Sequence, residues 1–276
     1  MVRDEIDIVA CNIAYHLGQG VSEVIVTDNG SVDGTRDVLA DLERSSPVTV
    51  IDEPATDWSQ GPWVTRMARL AHDRFAARWI LNGDADEFFL APSSRLRDVL
   101  DDAPAECDLL WVSRHDFVAI DRPGRAAPPL EMLYRKRESL NPVSKHPIAP
   151  KTIHRAAGDV VIHQGCHDAL APALRNKRHT PHVVAFHYPV RSLAQFRTKV
   201  RNAGSGYAAN RALPVDVGRR MRHWYDLLQR DLLDDEYRRV HHHPPELLRA
   251  RIATGEVLED TRIAQRLGLG TRPLQS

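Results

Sequence analysis

Three acidic side chains close together are the residues best suited to chemistry. Asp84, Asp86 and Glu87 follow the apolar run Trp79-Ile80-Leu81. Three acids directly after a buried strand repel one another unless a cation or a proton relieves the repulsion. Residues two apart in extended backbone point to the same side, so Asp84 and Asp86 can face one ion. The spacing predicts a site for a hard divalent cation, completed by substrate phosphates.

A second polar segment, Asp28-Asn29-Gly30-Ser31-Val32-Asp33-Gly34-Thr35, follows the β-branched run Glu23-Val24-Ile25-Val26-Thr27. Short polar residues and two glycines let backbone approach a ligand, and the helix that starts at Thr35 has an N-terminus that favours anions. Taken alone, the same residues also describe an ordinary capped turn.

Both segments need a scaffold that places strand ends side by side. The pattern predicts helices over Ile6 to Leu17, Thr35 to Glu43 and Gly61 to Ala77, and strands over Glu23 to Thr27, Pro47 to Ile51 and Trp79 to Leu81. This alternation of strands and helices predicts an α/β fold with a mainly parallel sheet and helices on both faces. Ligands in such sheets bind at the carboxyl ends of the strands.

The second half has a looser pattern. Residues 114–150 contain seven prolines or glycines, so a long loop is expected there. Short strands are expected at Asp159 to His163 and Val183 to His187, followed by helices from Ser192 to about Arg251. The tract His241-His242-His243 stands before Pro244-Pro245 and is interpreted as a solvated linker rather than a metal site.

Charge is divided unevenly along the chain. Residues 1–110 carry 21 acidic and 9 basic side chains, and the remaining residues carry 16 and 28, although the net charge is zero. The split suggests an acidic half that holds a cation and a basic half that faces it or an anionic ligand, or simply two halves that attract each other. A nucleic-acid partner is not expected, because the arginines are not interleaved with aromatic residues.

Cysteines and hydrophobic runs narrow the class of protein further. Cys11, Cys107 and Cys166 are scattered, which favours reduced, packed thiols over disulfides or a zinc site. No long uncharged apolar run and no apolar signal-peptide core occur, so we expect a cytoplasmic protein without a transmembrane segment, with peripheral membrane association left open.

The ordered set of segments resembles a known family. Val2-Arg3-Asp4-Glu5, then Val24 to Thr35, then Trp79-Ile80-Leu81-Asn82-Gly83-Asp84-Ala85-Asp86-Glu87-Phe88 resemble family 2 glycosyltransferases of GT-A fold, in the branch with a D-x-D-E-F motif. The likeness is strong over residues 2–90 and looser over 150–200. It implies a GT-A-like nucleotide-binding sheet with a helical C-terminal extension, and a transferase that moves a hexosyl-type sugar from a nucleotide sugar to a hydroxyl acceptor, with inversion.

The resemblance also implies roles for single residues. Asp86 would bind Mn²⁺ or Mg²⁺ directly, Asp84 would contact the ribose or a metal-bound water, and His187 would complete the metal site. Asp28 would recognise the nucleobase. The remaining donor-side positions that match the family are Arg3, Glu5, Gln60, Arg66 and Lys151.

One departure from the family concerns the first strand. Family members carry a hydrophobic strand immediately before the R-D-E segment, whereas here only Met1 and Val2 precede Arg3. We therefore expect that strand to be reduced to a stub in a chain that still folds.

An inverting transferase needs a base that takes the proton of the acceptor hydroxyl. Asp168 is the first candidate, because it lies in a segment dense in titratable groups after a predicted strand. His167 is a possible substitute, and Asp116 is a second carboxylate candidate. For each of them an ordinary surface or loop residue is the competing interpretation.

The predicted organisation is a nucleotide-sugar-binding half over residues 1–112, an acceptor-side half of the same domain over 113–200 and a helical extension over 201–276. The acceptor class stays open among saccharides, lipid-linked glycans and small molecules, and the basic residues Arg219, Arg220 and Arg222 make an anionic acceptor plausible. Two other functions stay open: a non-catalytic member that binds sugar nucleotide, and a metal-dependent phosphohydrolase, which would need more clustered metal ligands.

Overall fold

A computed structural model describes residues 1–120 and 127–268. This part of the chain divides into two compact units, each formed from two stretches of sequence. The first comprises residues 1–114 and 149–185, and the second comprises residues 115–148 and 186 onward. The predicted three-part division into consecutive stretches stays a prediction, although its first boundary lies near the switch between the units.

The helices are α1 (Val9–Gly18), α2 (Thr35–Ser45), α3 (Gln60–Phe75), α4 (Leu96–Asp101), α5 (Pro128–Glu131), α6 (Leu193–Ala209), α7 (Arg219–Gln229), α8 (Leu233–Val240), α9 (Pro245–Ala253) and α10 (Arg262–Arg266), with a 3₁₀ turn at Gln164–Cys166. The strands are β1 (Val24–Asp28), β2 (Val48–Asp52), β3 (Trp79–Leu81), β4 (Glu87–Leu90), β5 (Leu109–Asp116), β6 (Tyr134–Lys136), β7 (Lys151–Arg155), β8 (Val161–Ile162), β9 (Ala169–Leu170), β10 (Lys177–His187) and β11 (Val257–Glu259).

The α/β class and the helices and strands predicted over the first 81 residues are present, with shifts of a few residues at their ends. Local reasons explain them: Gly34 at φ 99° ends the polar turn directly before α2, and the β-branched residues of β1 favour a strand. Val2 forms a single parallel bridge with Asp28, the expected stub.

Strand direction differs from the expectation of a mainly parallel sheet. β1 and β2 are parallel, as predicted. The larger sheet has the order β3-β7-β5-β10-β4, and β7 is antiparallel to both β3 and β5. The physical reason is the connection, since β7 follows a long irregular segment rather than a helical crossover, which parallel neighbours require. The sheet system is therefore mixed.

Apolar faces of the helices pack on these strands. In the first unit, Val64, Met67 and Ala68 of α3 form one core cluster with Ile80 and Leu109. In the second unit, Phe196 of α6 packs with Trp224 of α7 and Leu233 of α8. Trp224 is buried, and Cys107 and Cys166 are buried thiols.

Two interpretations of the second half are wrong in part. The segment 114–150 contains the end of β5, the short helix α5 and strand β6, although its residues 121–126 lie outside the described part. The histidine tract joins α8 to α9 but is not solvated throughout, since His241 and His243 are buried. Burial lowers the pKa of His241 to about 3 and that of His243 to about 4, so both rings are neutral packing groups.

None of the helices in the described residues is long and apolar enough to cross a membrane.

Candidate active site

The acidic turn after β3 is the centre of the candidate site. β3 ends at Leu81, and Glu87 opens β4, so residues 82–86 form the connection between two strands. Asp86 and Glu87 are 2% and 0% exposed. The Asp84 backbone N–H donates to the Glu87 carboxylate at 3.1 Å. The three acids therefore lie close together, Asp84 and Asp86 in the connection and Glu87 at the start of β4.

Both carboxylate oxygens of Asp84 are held by the protein. Gln60 Nε2, at the start of α3, donates to Oδ1 at 2.9 Å, and Lys151 Nζ, at the start of β7, donates to Oδ2 at 2.7 Å. Burial and the neighbouring Asp86 raise the pKa of Asp84, but Lys151 lowers it more, and the net shift is downward. Asp84 is therefore an oriented carboxylate in its ionised form.

Lys151 is a buried cation shared between two acids. It is 1% exposed, and its ammonium lies 2.9 Å from Glu87 Oε2 in addition to Asp84. Burial lowers its pKa, but Asp84 and Glu87 raise it more, so the ammonium stays charged. Arg114 Nη1 donates to the other oxygen of Glu87 at 3.1 Å. Two cations, Lys151 and Arg114, therefore offset the negative charge of the acidic turn.

Gln60 connects the acidic turn to a loop far away in sequence. Its Oε1 accepts from the Gly165 backbone N–H at 3.1 Å, and Gly61 N–H donates to Gln164 Oε1 at 2.8 Å. The loop that precedes His167 and Asp168 therefore lies against the start of α3. The family resemblance puts Gln60 and Asp84 on the same donor side, and in the structure the two side chains are hydrogen-bonded.

The two base candidates in this loop have partners of their own. Asp168 Oδ1 accepts from Lys177 Nζ at 2.7 Å and from the Ala169 backbone N–H at 2.9 Å. His167 Nδ1 lies 2.8 Å from the Pro150 carbonyl oxygen, so it carries the proton that this bond needs. Burial lowers the pKa of His167 to about 4, which leaves it neutral and weakly basic at pH 7.

The turn after β1 is organised around Asp28, which is 3% exposed. Its carboxylate accepts from Ser31 Oγ at 2.6 Å and from Ser31 N–H at 3.1 Å. Asn29 Nδ2 donates to the carbonyl oxygens of Glu53 and Ala55, and Arg3 Nη1 approaches Asn29 Oδ1 at 3.5 Å. These bonds fix the turn, and Asp28 stays oriented at the carboxyl end of β1.

Other donor-side candidates have structural partners. Arg66 forms an ion pair with Glu53 at 3.0 Å. The backbone N–H of Glu5 donates to Thr35 Oγ1 at 2.9 Å, which joins the R-D-E segment to the start of α2. The Arg3 Nε atom is buried and has no hydrogen-bond partner in the described residues, so it has donor capacity that the protein leaves unused.

Asp116 and His187 form a pair in the second unit. His187 Nδ1 lies 2.7 Å from Asp116 Oδ1, and both side chains are 7% exposed. The Asp116 backbone N–H donates to Ser139 Oγ at 2.7 Å. A carboxylate that accepts from Nδ1 fixes the tautomer in which Nε2 carries the lone pair.

The donor set of the acidic turn suits a hard cation. It offers carboxylate oxygen from Asp86 and the oriented Asp84, and Mg²⁺ and Mn²⁺ prefer such ligands. No group of three or more His, Cys, Asp or Glu side chains suited to a metal occurs in residues 1–120 and 127–268. A cation held by these two carboxylates would need its remaining ligands from substrate phosphate and water.

Sequence reasoning missed two buried supports of the turn. Arg114 could have been suspected only from the excess of acid that needed balancing. His16, on α1, accepts a hydrogen bond at Nε2 from the Phe89 backbone N–H at 3.2 Å and is 7% exposed. Its only sequence signal is a polar residue on the apolar side of a predicted helix.

Comparison with known proteins gives distant structural likeness only. No family model and no curated protein matches the chain. The chain is similar to a structure of residues 1–349 of S. aureus TarS in complex with UDP, with 13% identity and a TM-score of 0.44, over 86% of this chain and 70% of that one. The complex of the same TarS fragment with UDP-GlcNAc gives 12% identity, the same coverage and a TM-score of 0.44. Likeness at this level shows nothing about the activity of this chain.

Proposed function

We propose that the chain is a metal-dependent glycosyltransferase that moves a sugar from a nucleotide sugar to a hydroxyl acceptor with inversion. The observation that carries the proposal is the arrangement of Asp84, which Gln60 and Lys151 hold from two sides in the turn that also contains Asp86. Two carboxylates so placed can serve a cation and a ribose at once. Bound there, the cation would supply positive charge against the diphosphate of the donor.

Recognition of the nucleotide is assigned to the β1 turn. Asp28 is buried and oriented by Ser31, so its carboxylate can accept a further hydrogen bond from a base N–H. Arg3 has an unused buried Nε donor beside this turn. The backbone N–H of Glu5 donates to Thr35 Oγ1, which holds the segment Arg3-Asp4-Glu5 against the start of α2.

Lys151 supports the acidic turn rather than standing in solvent as a phosphate clamp, because it is 1% exposed and held between Asp84 and Glu87. Its charge offsets the repulsion of the acids before any cation binds. The affinity for a divalent ion alone would therefore be modest, and the donor diphosphate would contribute strongly to it.

The base is assigned to Asp168, whose side chain is 30% exposed and accepts a hydrogen bond from Lys177. A carboxylate that can reach solvent can receive the proton of an acceptor hydroxyl. His167 is neutral and weakly basic, which makes it the poorer base. Asp116 is engaged by His187 Nδ1, which makes it the poorer carboxylate candidate for the base.

The test is incubation with Mn²⁺ and a panel of nucleotide sugars, with separate measurement of nucleoside diphosphate, inorganic phosphate and heat of binding. Release of nucleoside diphosphate that is lost in Asp86→Asn supports the proposal. Phosphate release from simple esters would indicate a phosphohydrolase, and heat without turnover would indicate a binding protein. Either result contradicts the proposed transfer reaction.

A further inference from the structure

A small cavity lies within the second unit. Its walls include Lys136 at the end of β6, Lys199 on α6, Arg220 on α7 and His241 directly after α8. Its volume is about 30 Å³, whereas pockets for drug-sized ligands measure about 300 to 1,000 Å³ and a single water needs about 10 to 15 Å³. The cavity therefore admits a small ion or the end group of a larger molecule, but not a whole nucleotide or sugar.

The charge of these walls is predominantly positive. Three cations, Lys136, Lys199 and Arg220, line the cavity. Asp116 is the only carboxylate among the described residues in its walls, and it already accepts from His187 Nδ1. An anion is therefore the kind of ligand that these charges favour.

Lys136 brings an incompletely compensated charge to the cavity. The residue is half-buried, and its ammonium forms no hydrogen bond or ion pair within residues 1–120 and 127–268. Burial lowers its pKa and Asp116 raises it, with a net shift downward. Burial therefore disfavours the charge of Lys136 more than the surrounding protein stabilises it. An anion close to the ammonium would supply that stabilisation.

His241 presents a polar atom that the fold does not use. The residue is 9% exposed, and its buried Nε2 has no hydrogen-bond partner in the described part of the chain. The ring is held in place by Phe196 and Trp224, whose ring centroids lie 5.0 and 5.4 Å from its own. Burial, and after it the charges of Lys136 and Arg220, lower the pKa of His241 to about 3. The ring is therefore neutral, and with its one proton on Nε2 it can donate to an oxygen in the cavity.

His243 shows that this unused nitrogen is particular to His241. Arg251 Nη1 lies 2.9 Å from His243 Nε2, and His243 Nδ1 lies 2.8 Å from the His241 carbonyl oxygen. A guanidinium can only donate, so Nε2 of His243 accepts and its Nδ1 carries the proton. Both nitrogens of His243 thus stabilise the fold and fix the backbone at His241, whose own Nε2 stays available for a ligand.

We propose that this cavity binds a phosphate-type oxyanion. Lys136 Nζ and His241 Nε2 donate to its oxygens, and Lys199 and Arg220 add positive charge around it. A water molecule would satisfy the imidazole but would leave the positive charge of the walls without compensation. A tetrahedral oxyanion does both, because it is charged and offers acceptor oxygens to donors that approach from several elements.

The experiment is a titration of the full chain with inorganic phosphate at pH 7 and low ionic strength. No nucleotide or divalent metal is added, so the result does not depend on the proposed transferase activity. Calorimetry gives the Kd, and ¹⁵N NMR of the imidazoles follows the Nε2 signal of His241. We expect this signal to move with phosphate and to saturate with the Kd that calorimetry gives.

Lys136→Met should weaken phosphate binding by about tenfold or more, since it removes a charge-assisted hydrogen bond. Lys145→Met is the matched control, because Lys145 is exposed and does not line the cavity, although its loss changes the net charge equally. Its effect should stay below about twofold, as expected for a screened surface charge. An equal loss of affinity in the two variants would overturn the proposal.

His241→Phe tests the neutral donor without changing the net charge. Phenylalanine keeps the aromatic packing on Phe196 and Trp224, and the lost hydrogen bond should weaken phosphate binding by about threefold to tenfold. Methyl phosphate distinguishes the source of the ligand: the same shift at His241 assigns the site to the phosphate end of a larger molecule, and a shift with inorganic phosphate alone assigns it to the free ion. A His241 Nε2 signal that moves with neither compound would overturn the proposal.

Discussion

Lys151 Nζ lies 2.7 Å from Asp84 Oδ2, and the lysine is 1% exposed. The same ammonium contacts Glu87 at 2.9 Å, so one buried cation balances two acids of one turn. The D-x-D sequence alone shows only repulsion between its acids. The cation that relieves it comes from a strand 67 residues further along the chain, and the acidic turn therefore forms before any metal or substrate is present.

Lys151→Met should destabilise the protein by about 3 to 5 kcal/mol, because it removes a buried cation from the buried Glu87, which keeps only Arg114, and from the partly exposed Asp84. Urea unfolding at pH 7 measures this loss. Lys177→Met is the matched control, since Lys177 also forms a 2.7 Å ion pair, with Asp168, but is 18% exposed. Its loss should stay within about 1 kcal/mol. Equal losses of unfolding free energy in the two variants would show that burial does not increase the contribution of the Lys151 ion pairs to stability.

The pH dependence of that variant has a definite sign. In the native chain the pKa of Asp84 is lowered, so its contribution is present above the unfolded pKa of about 3.9 and is lost as pH falls through the folded pKa. Without Lys151, burial and Asp86 raise the pKa of Asp84 instead. The loss of unfolding free energy in Lys151→Met should therefore shrink as pH falls from 7 to 5. A loss that stays constant over this range would contradict the role of Lys151 in lowering the pKa of Asp84.

Asp28→Ala should weaken binding of a nucleoside diphosphate by about tenfold to a hundredfold, since a hydrogen bond to a charged group contributes about 1.5 to 3 kcal/mol. Asp52→Ala is the control, because Asp52 stands opposite Asp28 in the parallel register but pairs with Arg36 at the surface. Isothermal titration calorimetry with UDP measures both. An unchanged Kd in Asp28→Ala would remove Asp28 from the nucleotide site.

The first 81 residues were predictable because each element there has a local signal, such as the β-branched residues of β1 and the glycine before α2. Strand direction beyond Leu110 was not predictable, since the antiparallel position of β7 depends on pairing between distant segments. The same limit applies to the site. Asp84 and Asp86 follow from spacing, whereas the contacts of Gln60 with Asp84 and Gly165 depend on the folded chain.

The histidines show why burial cannot be assigned from sequence alone. His16 lies on α1, and its Nε2 accepts from the Phe89 N–H, while Nδ1 lies 2.9 Å from the Asn12 carbonyl oxygen. A backbone N–H can only donate, so Nε2 carries the lone pair and Nδ1 the proton. The ring is therefore held in one neutral tautomer, and burial lowers its pKa to about 4.

Acid should therefore destabilise the protein through His16. Its folded pKa of about 4 lies below the unfolded value of about 6.5, so the unfolded chain binds the proton first, and stability falls as pH decreases from about 6.5 to 4. The full effect is about 3 kcal/mol for this one ring. His16→Gln keeps an acceptor for the Phe89 N–H but cannot titrate. Its unfolding free energy should therefore fall less steeply with decreasing pH, and the difference in slope should correspond to about one proton. The exposed His146→Gln is the control and should follow the native slope. Urea unfolding at several pH values between 7 and 4.5 gives the slopes, and a native slope in His16→Gln would mean that this ring does not carry the acid sensitivity.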